Sequence, residues 1–459
     1  MSELPVNCIF DKSVTGCGGT ELALRDGRHT IIAMPYVNLV ENKVNQEQHR
    51  DRVLGIFAGV TSYEIEEYIS THDVWKIAVT YDSLERTVDA ISKIGIDVYN
   101  EFFLLVDEWH VLFNSYVFRN AAVMRLLNIV PLFDRVTYMT ATPIEEEFLF
   151  DEIKHLPVIK VVWSNVKKTS VYLIQTNKCL IKLAKIIREY IEGRAFGNLH
   201  IFVNSVTFIK KIIEYVGILP ENVKVVCSTS NLKKGERSNQ IILGDDYPIG
   251  KPLDPVKKIN FYTSTCFEGC DIYDPNGRTI IVSDGDKKHS LLDISTLFIQ
   301  ICGRIRDSKY NDTVTYIFSK TRYKGDVTLD EFKEMCNKHY EVSINWLNSV
   351  NNLPKEGKEM TIKGLLKSNY LNENYVRYEC GNLVIDKNLL HLNVMKYKIE
   401  NQIFQNRFAL AGEMKNNGLN VVASQYAYCS DRLRANSDAR ESFKDLFLEY
   451  AELRSGKAK

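Results

Sequence analysis

The sequence predicts an α/β protein with two tandem parallel-sheet domains followed by a smaller, mainly helical C-terminal domain. Short apolar runs alternate with amphipathic helical stretches up to about residue 320, which is typical of parallel sheets covered on both faces by helices. The alternation starts afresh after Asn165, and charged helical patterns replace it beyond Lys320. We therefore expect three domains, at residues 1–165, 166–322 and 323–459.

The composition is that of a soluble globular protein with several domains. A chain of 459 residues is too long for one ordinary core, and its apolar and charged fractions, 45% and 25%, do not indicate disorder. The formal net charge of zero argues against a polybasic binder but leaves room for a local basic channel. The ten cysteines include no CxxC pair, so we expect free thiols rather than a zinc site. We also expect a cytoplasmic location without a membrane partner, because no signal peptide or membrane-spanning run is recognisable.

The predicted elements follow the chain in order, with helices assigned where apolar residues recur every three or four positions. Strands in the first unit are expected at Val6–Phe10, Thr30–Met34, Lys76–Thr80, Phe102–Val106, Val136–Thr140 and Val158–Trp163, with a helix at Leu84–Ile94. Strands in the second unit are expected at Val171–Gln175, His200–Val203, Val223–Cys227, Ile259–Thr263, Thr279–Ser283 and Thr313–Phe318, with helices at Leu180–Ile191 and Val206–Val216. The last part is expected to hold helices at Leu329–Val350 and Lys396–Gly418 and a short hairpin or extended piece at Leu383–Leu392.

One stretch of the first unit combines a buried strand with two carboxylates. The five apolar residues Phe102–Val106 fit a strand buried on both faces of a parallel sheet. Asp107 and Glu108 follow at its carboxyl end, where open α/β sheets bind their ligands. There Asp107 could hold Mg²⁺ and Glu108 could orient a water for attack on phosphate. An ordinary solvated acidic turn is the alternative that this stretch leaves open.

A glycine loop lies between the first predicted strand and a helical stretch. In such an arrangement, backbone N–H groups face an anion, and the loop Thr15–Thr20 is close to the end of a Walker A phosphate loop. Gly19 stands where that motif has the lysine that reaches the β- and γ-phosphates, whereas the hydroxyl of Thr20 remains for Mg²⁺. Another cation could replace this lysine, and those nearest in sequence are Lys12, Arg25 and Arg28. A glycine turn without a ligand is the alternative here.

Further motifs stand in a fixed order along both units. They are Met34–Leu39, Val79–Leu84, Asp107–His110 (DEWH), Thr140–Pro143, Phe202–Ser205, Glu268–Asp271 and Gln300–Arg306. Together with the glycine loop, this series over residues 8 to about 320 resembles the superfamily 2 helicases of the DEAD/DExH-box type, here with a DEWH box. The glycine loop and the Arg-Ile-Arg-Asp ending are most similar to helicases encoded by bacterial viruses and mobile elements.

The resemblance implies two RecA-like domains that close on ATP and grip one nucleic-acid strand across both domains. The residues that it would place around ATP in the first domain are Gly16, Cys17, Gly18, Gly19, Thr20, Asp107, Glu108 and His110, with Thr20 and Asp107 as the Mg²⁺ ligands. His110 would link the ATP state to domain closure, or be a satisfied histidine without that role. Thr140 and Thr142 would couple hydrolysis to strand movement, although their hydroxyls could equally cap the turn before Pro143.

The second domain would complete the nucleotide site. The residues that the resemblance assigns there are Gly269, Asp271, Gln300, Arg304 and Arg306. One of the two arginines would be a finger that stabilises charge on the transferred phosphoryl group, an effect of about 10³–10⁵ in rate. The family often separates its arginines by two residues, whereas one residue separates them here. Either arginine could therefore be the finger, and a plain surface pair is the alternative.

Nucleic acid would be held mainly through its phosphates, without sequence specificity. The positions carried over from the resemblance are Pro35, Tyr36, Thr80, Asn204, Ser228 and Thr263. The ring of Tyr36 could stack on a base or be a packed aromatic. DNA is the expected partner rather than RNA, and the C-terminal domain could recruit a protein.

The motifs and the resemblance together predict an ATP-dependent helicase or translocase. Such a protein is an ATP hydrolase, and we expect it to act in DNA replication, repair or recombination. A virus-encoded protein of this kind would act in the host cytoplasm. The alternative is a catalytically degenerate, nucleotide-dependent nucleic-acid-binding protein, because Gly19 removes a charged phosphate contact worth a few kcal/mol, about the strength of a charge-assisted hydrogen bond.

Overall fold

Two seven-stranded sheets form the body of the protein. The computed structural model describes residues 1–57, 61–165, 167–229, 238–322, 327–367, 370–379 and 381–430. Every strand pair recorded within these two sheets is parallel, and a mainly helical region follows the second sheet. The predicted fold class, two tandem RecA-like parallel-sheet domains with a mainly helical C-terminal part, is confirmed. Residues 431–459 of the expected third domain lie outside the described residues.

The first sheet has the strand order β3-β4-β2-β5-β6-β1-β7. Its strands are β1 Cys8–Asp11, β2 Thr30–Met34, β3 Leu54–Ile56, β4 Lys76–Thr80, β5 Phe103–Asp107, β6 Arg135–Thr140 and β7 Val158–Lys160. The helices of this domain are α1 Gly19–Arg25, α2 Val37–Val44, α3 Ser62–Thr71, α4 Leu84–Lys93, α5 Val98–Glu101, α6 Val111–Ile129 and α7 Asp151–Lys154. All five residues of β5 are buried, because helices cover the sheet on both faces.

The second sheet has the order β10-β11-β9-β13-β15-β8-β18. Its strands are β8 Ser170–Thr176, β9 Asn198–Phe202, β10 Val223–Val226, β11 Ile259–Tyr262, β13 Gly277–Ser283, β15 Thr313–Phe318 and β18 Asn420–Ala427, and a separate pair consists of β12 Ile272–Tyr273 and β14 Ile305–Arg306. The helices are α8 Cys179–Ile191, α9 Val206–Val216, α10 Asn239–Leu243 and α11 Ile299–Cys302.

The C-terminal region differs from the sequence prediction in two places. Its elements are α12 Leu329–Asn351, α13 Lys355–Leu365, α14 Tyr370–Glu373, β16 Val376–Glu379, β17 Asn382–Ile385, α15 Lys387–Asn401 and α16 Arg407–Asn416. The single helix predicted at Lys396–Gly418 is wrong, because the chain breaks after Asn401 and Asn406 caps a new helix through its side chain. The extended piece predicted at Leu383–Leu392 is correct only up to Ile385, because α15 begins at Lys387.

The C-terminal region packs against both sheet domains. Leu389 and Leu392 of α15 belong to the apolar core around β5, whereas Phe404 and Leu410, just beyond the break, belong to the core of the second sheet. The chain then adds β18 as an edge strand beside β8. This segment therefore connects the two domains by a second route, apart from the link between β7 and β8.

None of the helices in the described ranges is both long enough and apolar enough to cross a lipid bilayer.

A buried polar cluster fastens the C-terminal region to the first domain. The carboxylate of Asp386 is fully buried, accepts a hydrogen bond from the hydroxyl of Tyr116 at 2.9 Å, and lies 3.7 Å from the guanidinium of Arg377. The same carboxylate caps α15 by accepting from the backbone N–H of Asn388 at 3.1 Å.

We expect Asp386→Ala to lower the free energy of unfolding by about 2–4 kcal/mol, because a helix cap is lost and buried donors are left unpaired. Urea denaturation measures the change. The control is Glu147→Ala, which removes only a partly exposed ion pair with Lys333 on the same interface and should cost less than about 1 kcal/mol. Equal effects of the two substitutions would contradict the prediction.

Candidate functional site

The glycine loop connects β1 to α1 and has the backbone that a phosphate cradle needs. Gly16 and Gly18 have φ angles of 73° and 88°, a left-handed conformation that glycine adopts without steric cost. The first turn of α1 has no side-chain cap, so its leading N–H groups are not claimed by a capping side chain. Cys17, between the two glycines, is partly exposed and lines the same cleft.

The two carboxylates of the DEWH segment lie next to this loop. The hydroxyl of Thr20 donates to Oδ2 of Asp107 at 2.7 Å, and both residues are buried. A hydroxyl and a carboxylate beside a phosphate loop form the oxygen donor set that Mg²⁺ prefers, so these residues fit a magnesium ion. Burial raises the pKa of Asp107. Glu108 has a left-handed φ of 53°, a sparsely populated conformation for a non-glycine residue that is concentrated at functional sites.

Lys12, which the sequence could not place, lies at these carboxylates. Its ammonium donates to Oε1 of Glu108 at 2.8 Å and lies 3.7 Å from Oδ1 of Asp107. Burial acts to lower the pKa of Lys12, but the two carboxylates outweigh burial and raise it. Burial likewise acts to raise the pKa of Glu108, but Lys12, His110 and Arg304 together outweigh burial and lower that pKa to about 2. The ammonium and the Glu108 carboxylate therefore both stay charged near neutral pH.

The second domain reaches the same carboxylate through Gln300. The side-chain amide of Gln300 donates to Oε2 of Glu108 at 3.2 Å and to the hydroxyl of Thr142 at 3.1 Å. A π-helical turn at Ile294–Phe298 leads directly into α11, which carries Gln300. Glu108 is thus held by residues from both domains.

The two arginines differ sharply in their surroundings. The guanidinium of Arg304 is buried and donates to the backbone and side-chain oxygens of Gln300 at 2.9 Å each. Arg306 pairs with Asp271 at 3.0 Å and extends over the glycine loop, where a Cβ on Gly16 would lie 3.1 Å from its Nη1. Arg306 is therefore the arginine that faces the phosphate cradle.

His110 is buried between the two domains and joins them. Its Nδ1 lies 2.7 Å from the hydroxyl of Thr140, and its Nε2 lies 2.9 Å from Oε1 of Glu268. An ionised carboxylate only accepts hydrogen bonds, so Nε2 donates to Glu268. The hydroxyl of Thr140 also lies 3.3 Å from Oε2 of Glu108 and accepts from the backbone N–H of Thr142 at 3.1 Å. The threonine pair therefore links the Glu108 carboxylate to the interdomain contact.

Apart from Thr140 and Thr142, the residues of the glycine loop, the acid pair and the two arginines line one interdomain cleft of about 410 Å³, together with Lys12, His110, Glu268 and Gln300. Gly269 and Asp271 line it from the second domain. The domains approach closely at Gly303, where a Cβ would lie 2.6 Å from Oγ1 of Thr15 and would force that side chain to shift.

The residues proposed to bind nucleic acid lie at the carboxyl ends of strands. Pro35 directly follows β2, and Thr80 is the last residue of β4. These two strands are neighbours in the first sheet. The hydroxyl of Tyr36 donates to Glu268 at 2.9 Å, and burial raises its pKa. Tyr36 therefore contributes to the interdomain contact, which favours the packed-aromatic interpretation over stacking on a base.

The corresponding residues of the second domain follow β9, β10 and β11, which are neighbours in the sheet. Asn204 accepts from the backbone N–H of Ser264 at 3.4 Å and donates to the carbonyl of His289 at 2.9 Å. Thr263 is buried, and the carbonyl of Ser228 accepts from Asn239 at 2.9 Å. These groups shape the loops at the edge of the sheet.

Two important residues were not placed from sequence: Lys12 was one of three cations that could replace the loop lysine, and Glu268 had no role of its own. Lys12 stands only one position beyond β1, so its place in the chain indicated that it could reach the strand ends. Glu268 lies inside a recognised motif, but its contact with His110 joins residues 158 positions apart, which no local pattern reveals.

Comparison with known proteins finds structural neighbours. No family model and no curated protein matches the chain. Among solved structures, the chain is similar to Mss116p bound to ssRNA and AMP-PNP, at 11% identity over 77% of this chain and 79% of that one, with a TM-score of 0.44. It is also similar to the Mycobacterium smegmatis helicase Lhr bound to ssDNA and AMP-PNP, at 14% identity over 84% of this chain and 57% of that one, with a TM-score of 0.43. Both similarities concern the path of the backbone, because the sequences themselves are very different.

We expect Glu268→Ala to weaken docking of the two domains by about 1–3 kcal/mol, because the buried His110 loses its partner. Fluorescence energy transfer between one dye on each domain measures the docked fraction. The control is Glu192→Ala, an exposed carboxylate paired only with Arg194 on the second domain. An unchanged distance distribution in Glu268→Ala would contradict the prediction.

Proposed function

We propose that this protein is an ATP-dependent helicase or translocase of the superfamily 2 type that hydrolyses ATP in the cleft between its two sheet domains. The observation that carries the proposal is the position of Glu108. Its carboxylate follows the central strand of the first domain and bonds to Gln300 of the second domain at 3.2 Å. A catalytic carboxylate shared in this way is complete only when the domains are docked, which links chemistry to domain movement.

The residues of the cleft would have separate roles in phosphoryl transfer. The glycine loop would bind the phosphates through its N–H groups, and Thr20 and Asp107 would hold Mg²⁺, which neutralises charge on the phosphates when bound. Glu108 would orient the attacking water and accept its proton. Gln300 would hold the Glu108 carboxylate in its orientation.

We assign the arginine finger to Arg306. Its guanidinium lies over Gly16, where a phosphate bound in the loop would meet it, and it is partly exposed to the cleft. Arg304, in contrast, is buried and donates three hydrogen bonds, two to Gln300 and one to the carbonyl of Cys270. Arg304 therefore positions Gln300 rather than a phosphate.

Movement of a nucleic-acid strand would follow from closing and reopening the cleft. The chain of contacts from Glu108 through Thr140 and His110 to Glu268 connects the nucleotide site to the interdomain contact. Loops at the carboxyl ends of both sheets would hold the strand by its phosphates. DNA is the preferred partner, with a role in replication, repair or recombination, given the motif resemblance to helicases of bacterial viruses and mobile elements.

The second candidate function is a catalytically degenerate, nucleotide-dependent nucleic-acid-binding protein. Gly19 in place of the Walker A lysine is the observation that favours it. In that case ATP would bind and alter nucleic-acid affinity, but no hydrolysis would occur above the rate of buffer alone. Both candidates bind ATP and nucleic acid, but only the helicase hydrolyses ATP. An ATP hydrolysis assay therefore separates them.

We expect the wild-type protein to hydrolyse ATP faster when nucleic acid is present, and Glu108→Gln to lose about 10²-fold or more of this rate, because the general base is removed. Phosphate release is measured with single-stranded DNA, duplex DNA and RNA offered separately. The control Glu192→Gln changes an exposed carboxylate on the second domain and should retain the full rate. Equal rates for wild type and Glu108→Gln would refute the helicase proposal.

The two arginines should separate in kinetics and stability. We expect Arg306→Ala to lower kcat about 10³-fold or more with little effect on the melting temperature, because a finger acts on the transition state. Arg304→Ala should lower the melting temperature as well, since it removes a buried hydrogen-bonded cation. A normal kcat in Arg306→Ala would overturn the finger assignment.

A further inference from the structure

A side chain at position 19 of the glycine loop would collide with Met139. A Cβ on Gly19 would lie 2.6 Å from Sδ of Met139, shorter than real Cβ contacts, and 3.2 Å from its Cε, so Met139 would have to move. Met139 is a fully buried residue of β6, so its side chain cannot swing into solvent to make space. The loop and the packing behind it are therefore built around glycine at this position.

The stem of Lys12 passes along the same place. Its Cδ lies 3.8 Å from the position of that Cβ, and its ammonium continues to Glu108 and Asp107. The backbone of Lys12 is fixed as it leaves β1, because its N–H donates to the carbonyl of Thr140 at 2.9 Å and its carbonyl accepts from the indole of Trp163 at 2.9 Å. Lys12 thus delivers a buried positive charge to the floor of the phosphate cradle from the strand instead of the loop.

The other cations close to the loop in sequence are committed elsewhere. Arg25 is exposed and pairs with Glu21 at 2.6 Å. Arg28 donates to Asp26 at 2.5 Å and lies over the ring of Phe103. Neither arginine lines the interdomain cleft.

Lys43 is the rival to Lys12, since it also lines the cleft. It lies in the last turn of α2, and no hydrogen bond or ion pair of its ammonium is recorded within the described residues. Lys12, in contrast, is 5% exposed and directly contacts the acid pair. A buried ammonium with a fixed stem is already oriented for a phosphate, whereas a flexible surface lysine loses conformational entropy on binding.

We propose that Lys12 is the phosphate-binding lysine of this protein, supplied by the end of β1, and that it holds the β- and γ-phosphates of a nucleoside triphosphate. This proposal rests on the proposed function, because it assumes a nucleotide in the cleft. A triphosphate tail between the glycine loop and the acid pair competes with Glu108 for the ammonium. Glu108 then keeps Gln300 and Thr140 as its partners and is available to the attacking water.

The test is equilibrium binding without turnover, on the full chain with Mg²⁺. A fluorescent adenosine triphosphate analogue with a non-hydrolysable β–γ bridge is titrated beside the matching monophosphate. Lys12→Met keeps the length of the side chain and removes its charge. We expect the triphosphate to bind about 10- to 100-fold more weakly, which corresponds to one charge-assisted contact, while the monophosphate is bound as by the wild type.

Two matched lysine variants serve as controls. Lys76 is equally buried in the same domain, but it pairs with Asp26 at 2.8 Å outside the cleft. Lys76→Met should therefore reproduce the loss of a buried charge without changing triphosphate affinity. Lys43→Met tests the rival cation and should leave most of the affinity intact.

Lys12→Met could misfold, because it leaves the carboxylates of Asp107 and Glu108 without their cation. A further pair of variants tests the assignment in a background where this problem is reduced. In Glu108→Gln and Lys12→Met/Glu108→Gln, the uncompensated Glu108 charge is absent. The double variant should still bind the triphosphate at least 10-fold more weakly than Glu108→Gln, as expected for one charged contact. Equal triphosphate affinity in this pair, or a loss in Lys43→Met instead, overturns the assignment of Lys12. A wild-type protein that binds neither nucleotide overturns the proposed function itself.

Discussion

The carboxylate of Glu108 is the point at which the separate parts of this protein meet. It accepts from the ammonium of Lys12 at one oxygen, and its other oxygen lies near Thr140 and Gln300. These partners come from the end of β1, from the end of β6 and from the second domain. A buried carboxylate is costly unless it is paired and hydrogen-bonded. The requirement to compensate this one charge therefore ties the glycine-loop region, the central sheet and the second domain into a single arrangement.

The C-terminal region adds a mechanical constraint to that arrangement. Because α15 packs on the first domain and α16 with β18 packs on the second, any change in the angle between the domains must be absorbed near the break between these helices. Asn406 caps α16 there, and Gln402 has a non-helical backbone. Hinges of this kind are a few residues at the ends of elements that absorb large changes in φ and ψ. The break that the sequence pattern concealed thus lies where the proposed opening and closing of the cleft would bend the chain.

Local patterns predicted most of the sheet framework and missed elements that depend on long-range packing. β2 and β4 were predicted with their observed bounds, because each is a short apolar run between turns. β3, only three residues long, and β18, exposed along most of its length, carry no such pattern, since they exist by pairing with a neighbouring edge. The predicted helix at Lys396–Gly418 failed for a related reason: its apolar residues on both sides of the break, among them Ile403, Phe404 and Leu410, pack into the core of the second sheet, so their spacing resembled one continuous face.

The sequence by itself determined the buried strand β5, the acid pair at its end and the glycine loop, because each of these consists of adjacent residues. It also determined the order of the motifs along the chain. It left open which cation lies beside the acid pair, and which arginine faces the glycine loop. Only the tertiary structure decided these points. It brings Lys12 to Glu108 across 96 positions of chain, fills the space beside Gly19 with Met139, and places Arg306 over Gly16. Charge compensation and steric exclusion act between residues that are close in space, and spacing along the chain does not encode them.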